Sequence, residues 1–289
     1  MNQSVSPGGA YEAPLYDRVA LVFVCSISSL VGAFTNALIV IAVLSSLHLW
    51  ESRYFLLLSL SVSDFLSCAL WQPTLIHSTV TGQYGSLSSF LAYFTALSSL
   101  NSLVFVTVER FIAVFFPYVY INNIPKSCEV VICAVLAYII SLGLTVLRVI
   151  HVIGVVTIYC YLMVISILLL CIYIAIFITA RKQDLKVRPP PLPRQCSTRE
   201  QRRSWNKQQK LHESKTTKTV AIILGVYYTC WLPFLMFPAI PVEYIPRTFH
   251  WINCAASLQS LANPFIYFLF VRRLRKKVVK ILTQKFRNF

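Results

Sequence analysis

Seven long apolar runs follow one another along this chain of 289 residues. They lie near residues 20–45, 54–77, 89–116, 128–147, 152–180, 217–240 and 249–270. A helix that crosses the hydrocarbon core of a bilayer needs about 20 predominantly apolar residues. Because 57% of the residues are hydrophobic and only 12% are charged, much of the surface must face lipid. We therefore predict an all-α integral membrane protein built as a bundle of seven transmembrane helices.

The net charge of +16 is distributed very unevenly. With the N-terminus outside, all but three of the 26 Lys and Arg lie on the cytoplasmic side, the exceptions being Arg18, Arg148 and Arg247. This asymmetry follows the positive-inside rule and predicts that orientation. The orientation in the membrane thus explains the positive charge, and a nucleic-acid partner is not needed to explain it. Asn2 heads an Asn-Gln-Ser triplet and would be an external glycosylation site.

The predicted spans divide the chain into three parts. Residues 1–18 form an extracellular N-terminus, with no basic segment of the kind that opens a cleavable signal peptide. Residues 19–271 form the seven-helix domain, in which 181–216 is a basic, Pro-containing and flexible third intracellular loop. In residues 272–289, cations and apolar residues alternate at helical spacing, which predicts an amphipathic helix on the membrane surface and a short tail.

Few polar side chains interrupt the spans, and a charge at the centre of one costs about 2.5–3.5 kcal/mol. Asp64 and Asn36 lie at mid-depth in the second and first runs. The seventh run adds a cluster before Pro264, namely Gln259, Ser260 and Asn263. Such groups either make hydrogen bonds between helices or together hold a small cation such as Na⁺, with Asp64 as its carboxylate ligand.

Two further features resemble parts of a conformational switch. Glu109 and Arg110 end the third run at the cytoplasmic side, and Glu213 heads the sixth helix on the same side. An Arg that can choose between carboxylates forms a two-state latch, unless it is simply a surface charge. Trp231 lies two residues before Pro233, which either bends the sixth helix permanently or gives it a pivot.

These residues belong to five short motifs, in order over all seven helices, that resemble those of the rhodopsin-like (class A) G-protein-coupled receptors. The motifs are Asn36, Asp64, Glu109-Arg110-Phe111, Cys230-Trp231-Leu232-Pro233 and Asn263-Pro264-Phe265-Ile266-Tyr267. The resemblance implies a plasma-membrane receptor that activates heterotrimeric G proteins by outward movement of the sixth helix. It also implies that Ser99 completes the sodium pocket, and that Tyr173 and Tyr267 meet Arg110 in the active state.

The departures from the family pattern concern the ligand. Gly85 replaces the usual third-helix cysteine, Ile165 the fifth-helix Pro, Tyr138 the fourth-helix Trp and Tyr227 the Phe below Trp231. The loss of the cysteine, the loss of the fifth-helix Pro and the very short link between the fourth and fifth helices are together similar to the melanocortin, lysophospholipid and cannabinoid receptors.

The residues that identify particular ligands in the family are missing. Ala92 stands where amine receptors carry Asp, and Ser257 where opsins carry Lys. Melanocortin-like acids are absent near Thr74, Gly85 and Ser89, as is a lysophospholipid-like Arg near Ser88. The remaining residues of the expected cavity are Tyr93, Ala96, Thr157, Tyr161, Trp231, Phe234, Leu235, Phe249, Asn253 and Ser257. They predict an uncharged lipophilic ligand or a small neutral peptide.

Other classes of protein fit less well. An intramembrane enzyme would need paired catalytic groups within the spans, whereas Asp64 is the one acid at mid-depth. A transporter would be expected to show internal repeats. A receptor-like protein that does not signal, or that is constitutively active, stays as the alternative. Hydroxyls of the third intracellular loop predict arrestin binding after phosphorylation: Ser197, Thr198, Ser204, Ser214, Thr216 and Thr217.

Overall fold

A computed structural model describes residues 14–45, 52–83, 85–116, 127–185, 221–236 and 245–287, almost all of them helical. We number the helices in chain order: α1 (Leu15–Leu44), α2 (Ser52–Leu66, Ser67–Trp71 and Gln72–Thr81), α3 (Ser86–Phe115), α4 (Ser127–Val149), α5 (Val155–Leu185), α6 (Ala221–Leu235), α7 (Ile245–Phe270) and α8 (Arg272–Arg287). Glu213, Asn2 and the predicted phosphorylation sites lie outside the described residues.

The first five of these helices are each long and apolar enough to cross a membrane. The last two pass the same test only as a pair, bent by 102° where α7 meets α8. Polar residues such as Gln259 and Asn263 reduce the hydropathy of α7, and the described part of α6 is shorter. The sequence predicted seven spans, and the helices occur in the predicted order.

The third helix forms the centre of the bundle. It packs against α2, α4 and α5, and α1 packs against α2, α7 and α8. Within the best membrane-spanning window, 56% of the residues of α3 are buried, against 22% in α4 and in α5. The two outer helices therefore present most of their apolar side chains to lipid. As predicted, the link between them is short, covering only residues 150–154.

A π-helical turn, Ser67–Trp71, interrupts α2. It lies directly before Pro73, whose ring cannot fit against the carbonyl four residues earlier in a regular α-helix. In the π turn the Gln72 amide donates to Ser67, which leaves the Cys68 carbonyl without a donor from its own helix, because Pro73 has no N–H. The Ser29 hydroxyl of α1 donates to this carbonyl at 2.7 Å.

A second proline creates the same problem in α7. Pro264 has no N–H to donate to the Ser260 carbonyl, which lies four residues earlier. The Asn36 side chain of α1 donates to that carbonyl at 2.9 Å. Gly32 lies between Ser29 and Asn36 on the same face of α1, next to Cys68 and the backbone of Leu261. Side chains of α1 thus supply donors to carbonyls in both proline-distorted helices, and Gly32 lets the helices approach.

The last helix folds back beneath the bundle. Leu274 and Val278 of α8 are buried, and the Lys277 ammonium donates to the Ser45 carbonyl at the end of α1 over 3.2 Å. Arg272 and Arg273 are exposed at its start. One face of α8 is therefore held by the bundle while its cations remain outside, as expected for a basic helix at a membrane surface.

Candidate functional site

Asp64 of α2 lies at the centre of a polar cluster inside the bundle. Its carboxylate is completely buried. It accepts hydrogen bonds from Asn263 at 2.7 Å, from Ser260 at 2.9 Å and from Ser99 at 3.4 Å. The structure thus brings together four of the predicted residues from α2, α3 and α7. A buried carboxylate needs such donors, because transfer of an unpaired charge out of water is very costly.

The other two residues expected in this network have different partners. Asn36 bonds the carbonyls of Gly32 and Ser260, so it reaches the cluster through the α7 backbone and does not contact Asp64. The Gln259 side chain accepts a hydrogen bond from the Trp231 indole at 2.5 Å. Gln259 therefore links α7 to α6, a connection that the sequence did not predict.

Trp231 is buried and packs among aromatic rings on its own helix. Its ring stacks on Tyr227 at 5.8 Å and meets the edge of Phe234 at 5.3 Å. The Tyr227 hydroxyl lies 2.9 Å from that of Ser166 on α5. Where relatives are expected to carry Phe, this chain therefore has a polar contact between α5 and α6. Pro233 lies just beyond Trp231 and is half-buried.

The inner end of α3 holds an ion pair between adjacent residues. The guanidinium of Arg110 donates from two of its nitrogens to the Glu109 carboxylate, and both side chains are buried. Tyr267 of α7 is completely buried, and its hydroxyl has no hydrogen-bond partner among the described residues. Tyr173 is half-buried against the core. An unpaired buried hydroxyl is unfavourable, so this conformation leaves Tyr267 available for another partner.

The residues predicted to line a ligand cavity fall into two groups. Tyr93, Ala96, Tyr161, Phe234 and Leu235 are partly buried against the core cluster. Thr157, in contrast, is exposed near the outer start of α5. Its neighbour Ile158 is buried. Whether Thr157 lines the cavity stays a prediction.

Most neutral polar groups in the expected cavity already have partners. Asn253 donates to the Phe249 carbonyl and Ser257 to the Cys254 carbonyl, both within α7. The Tyr161 hydroxyl donates to the Asn101 side chain at 2.6 Å. Each of these bonds uses one donor, and the oxygen atoms of all three side chains can still accept a hydrogen bond from a ligand.

Sequence reasoning missed several contacts between helices. The Asn101 amide also donates to Ser141 at 2.9 Å, which joins α3 to α4. Tyr138, at the expected Trp position, donates to the Ser59 carbonyl of α2 at 2.7 Å. The Asn101 amide inside a span was a visible signal for the first of these contacts, whereas the second requires the packing of two helices to be known.

With this geometry described, comparison with known proteins identifies the class. The pattern of the family described as "7 transmembrane receptor (rhodopsin family)" matches residues 35–154 and 147–267. The chain belongs to this family. It is a multi-pass membrane receptor of the G-protein-coupled class, which is not enzymatic, and the predicted seven-helix fold is confirmed.

Individual relatives are more distant. Trace amine-associated receptor 4 of Rattus norvegicus is 26% identical, over 94% of this chain and 89% of that receptor. Sphingosine 1-phosphate receptor 2 of Homo sapiens is 27% identical, over 86% and 72% respectively. Trace amine-associated receptor 6 of Homo sapiens is 26% identical, over 92% and 86%. The predicted likeness to lysophospholipid receptors agrees with the second relative, while the trace amine receptors were not expected.

Proposed function

We propose that a lipophilic ligand at the outer end of the bundle frees Arg110 at the inner end, so that the receptor binds and activates a heterotrimeric G protein. The observation that supports this most directly is the buried ion pair of Arg110 with Glu109 in a chain of this family. In the resting state Arg110 is held by Glu109, and Glu213 is a second carboxylate available to it. The receptor lies in the plasma membrane with its N-terminus outside.

The ligand acts on the switch through Trp231. Binding above the indole favours a conformation in which the inner part of α6 swings outward about Pro233. Arg110 then meets Tyr173 and Tyr267 and the tail of a G-protein α-subunit. The unpaired Tyr267 hydroxyl supports this step, since it gains a partner. A ligand shifts such an equilibrium only by its difference in affinity for the two conformations.

The test is nucleotide exchange on purified G proteins, with the full chain in lipid nanodiscs. Glu109→Gln removes one of the charges that hold Arg110, so basal exchange should rise above that of the unsubstituted chain. Arg110→Ala should reduce exchange to the level of empty nanodiscs. The matched control is Glu129→Gln, an exposed carboxylate near the inner start of α4, which should change nothing.

The same experiment decides between the proposal and its alternative. If all variants gave the exchange rate of empty nanodiscs with Gα subunits of every class, and no compound in a ligand screen raised it, the chain would be a receptor-like protein that does not signal. If basal exchange were already maximal and Glu109→Gln left it unchanged, the receptor would be constitutively active without this latch.

Asp64 and its neighbours form a candidate sodium site. Oxygen atoms are the ligands that hard cations prefer, and the cluster supplies a carboxylate and the hydroxyls of Ser99 and Ser260. The Asn263 side-chain oxygen is buried without a hydrogen-bond partner, so it is a further available ligand. Bound Na⁺ would supply a positive charge to a buried carboxylate and stabilise the packing of α2, α3 and α7.

The names of the relatives point to two kinds of ligand, trace amines and sphingosine 1-phosphate. An amine would need an acid where Ala92 stands, and Ala92 packs in an apolar cluster with Leu75 and Trp71. We therefore do not assign an amine ligand. The aromatic surroundings of Trp231 favour a ligand with a substantial apolar part.

Arrestin is the second cytoplasmic partner in this proposal. After activation, phosphorylated hydroxyls of the third intracellular loop would bind it through their added negative charge. The tail after α7 offers only Thr283, so removal of the loop hydroxyls should abolish recruitment. A different result would place the phosphorylation site in α8: arrestin recruitment would persist when all six loop residues were replaced by Ala, but would be lost in Thr283→Ala.

A further inference from the structure

Arg148 has surroundings that none of the family motifs explains. It lies in the last turn of α4, on the outer side of the membrane, and is half-buried. Its guanidinium carbon lies 5.5 Å from the centre of the Tyr93 ring on α3. Arg148 therefore lies against the central helix at the outer end of the bundle.

Among the residues that the structure describes, the guanidinium of Arg148 has no acidic partner. Its Nε is buried and lacks a hydrogen-bond partner, and among the described residues no ion pair to this side chain is found. A buried donor without an acceptor is unfavourable, and such a group needs an explanation. The helix C-terminus favours a cation at this place, but it does not supply an acceptor for Nε.

Aromatic side chains line the outer end of the bundle beyond Trp231. The Tyr93 ring lies beneath the guanidinium, and Tyr93 and Phe234 pack against the same hydrophobic core cluster. Tyr159 stacks on Phe234 of α6 at 5.1 Å, with the rings 10° from parallel. Phe234 in turn meets the edge of Trp231 at 5.3 Å. A charged group and an aromatic wall are thus both found at the outer end of the bundle.

We propose that Arg148 binds an oxyanion head group, phosphate or carboxylate, of an amphiphilic ligand whose apolar chain lies along Tyr159 and Phe234 towards Trp231. Arg suits this role because its fork of donors matches the paired oxygens of carboxylate and phosphate. This inference rests on the proposed receptor function. It differs from the expectation of an uncharged ligand, which was based on a set of cavity residues that did not include Arg148.

The experiment measures thermal unfolding of the full chain in neutral phosphatidylcholine nanodiscs, titrated with matched probes. Oleyl phosphate and oleate carry the head groups of the proposal, oleyl alcohol carries the same chain without charge, and inorganic phosphate is the anion alone. A ligand that binds the folded state raises the melting temperature according to its dissociation constant. Because no G protein is present, a failed signalling test leaves this result intact, and the reverse also holds.

We expect oleyl phosphate and oleate to bind more tightly than oleyl alcohol, with no effect of inorganic phosphate at the same concentrations. Arg148→Gln should weaken the binding of oleyl phosphate about 10- to 100-fold, the range for one lost charged hydrogen bond. The affinity for oleyl alcohol should be unchanged. Arg148→Lys keeps the charge but not the forked donors of the guanidinium, so its affinity for oleyl phosphate should lie between those of the unsubstituted chain and Arg148→Gln. Arg18→Gln, which removes the described positive charge of α1 on the same side, should bind like the unsubstituted chain.

Three results would overturn the proposal. Equal affinities for oleyl phosphate and oleyl alcohol would show that no anion is recognised. If Arg148→Gln lost affinity for oleyl phosphate and oleyl alcohol equally, Arg148 would only support the fold. If that variant did not fold, the same comparison would be made with Arg148→Lys. Inorganic phosphate that bound as tightly as oleyl phosphate would show a site for a free anion instead of an amphiphile.

Discussion

Gly32 lies where α1 approaches the π turn of α2, and a single methyl group there tests how closely the helices must pack. A Cβ added at this position would lie 2.5 Å from the Cys68 sulfur, 3.5 Å from the Cys68 Cβ and 3.7 Å from the Leu261 Cα. The first distance is far inside van der Waals contact, whereas the other two are ordinary contacts. The clash of Gly32→Ala is therefore with one sulfur atom.

The chain can relieve this clash in two ways, and both are costly. Forcing the Cys68 side chain aside overpacks the interior, at about 1–3 kcal/mol. Moving α1 outward stretches the hydrogen bonds of Ser29 and Asn36 to carbonyls that have no other donor in their own helices. Each bond contributes about 0.5–1.5 kcal/mol. Ala is a better helix former than Gly, so the substitution also stabilises the helix by up to about 1 kcal/mol, which offsets part of this loss.

Gly143→Ala in α4 is the control. It has the same gain in helix propensity, but an added Cβ meets nothing within 4 Å. We expect Gly32→Ala to be about 1–3 kcal/mol less stable than Gly143→Ala. At ~2–4 °C for each kcal/mol, the melting temperature in nanodiscs should be lower by several degrees. Thermal unfolding of the two variants measures the difference directly.

A double-mutant cycle with Cys68→Ala identifies the cause. Since the 2.5 Å contact is to the sulfur alone, Cys68→Ala should restore most of the stability lost in Gly32→Ala, although it leaves a small cavity when introduced by itself. Additive losses in the double variant would refute the reasoning, because non-interacting sites add. So would equal melting temperatures of Gly32→Ala and Gly143→Ala.

Two further predictions concern the polar interior. Gln259→Leu removes the hydrogen-bond acceptor of the buried Trp231 indole, which should cost about 1–3 kcal/mol of stability. We expect a lower melting temperature and altered basal nucleotide exchange. If both were unchanged, the inferred coupling of α6 to α7 would be contradicted. Asp64→Asn removes the carboxylate of the candidate sodium site, so NaCl should raise the melting temperature of the unsubstituted chain more than KCl does, and this difference should vanish in the variant. No difference between the salts in the unsubstituted chain would argue against a sodium site.

The sequence was sufficient to predict the helices, because about 20 consecutive apolar residues have few alternatives to a membrane span. It also indicated that Asp64, Ser260 and Asn263 lie close together, since a carboxylate in a membrane needs polar neighbours, whereas Ser99 was implied by the family resemblance alone. The family resemblance aligned their helices. The adjacent pair Glu109 and Arg110 needed no tertiary information beyond the end of one helix.

Other features depended on helix rotation, which the periodicity of nearly uniform apolar runs does not define. Thr157 and Ile158 are neighbours in sequence, yet only Ile158 faces the core. The fourth apolar run ends near residue 147, so Arg148 lies beyond it in the sequence, but α4 continues to Val149. The partner of Gln259 was missed because Trp231 lies on another helix, at a height that the sequence alone does not give.

The π turn in α2 has a consequence for how this chain is aligned with others. A π turn holds one residue more than the α-helical hydrogen-bonding pattern would, and each residue of an α-helix advances by roughly 100°. The wider turn absorbs the extra residue, so deletion of one residue within 67–71 would restore a regular helix before Pro73 and leave the outer part of α2 facing the same way. Thr74, which donates to Ser88 of α3 at 3.1 Å, would keep its place. An ungapped alignment with a receptor that lacks the extra residue therefore pairs residues of outer α2 that point in directions roughly 100° apart.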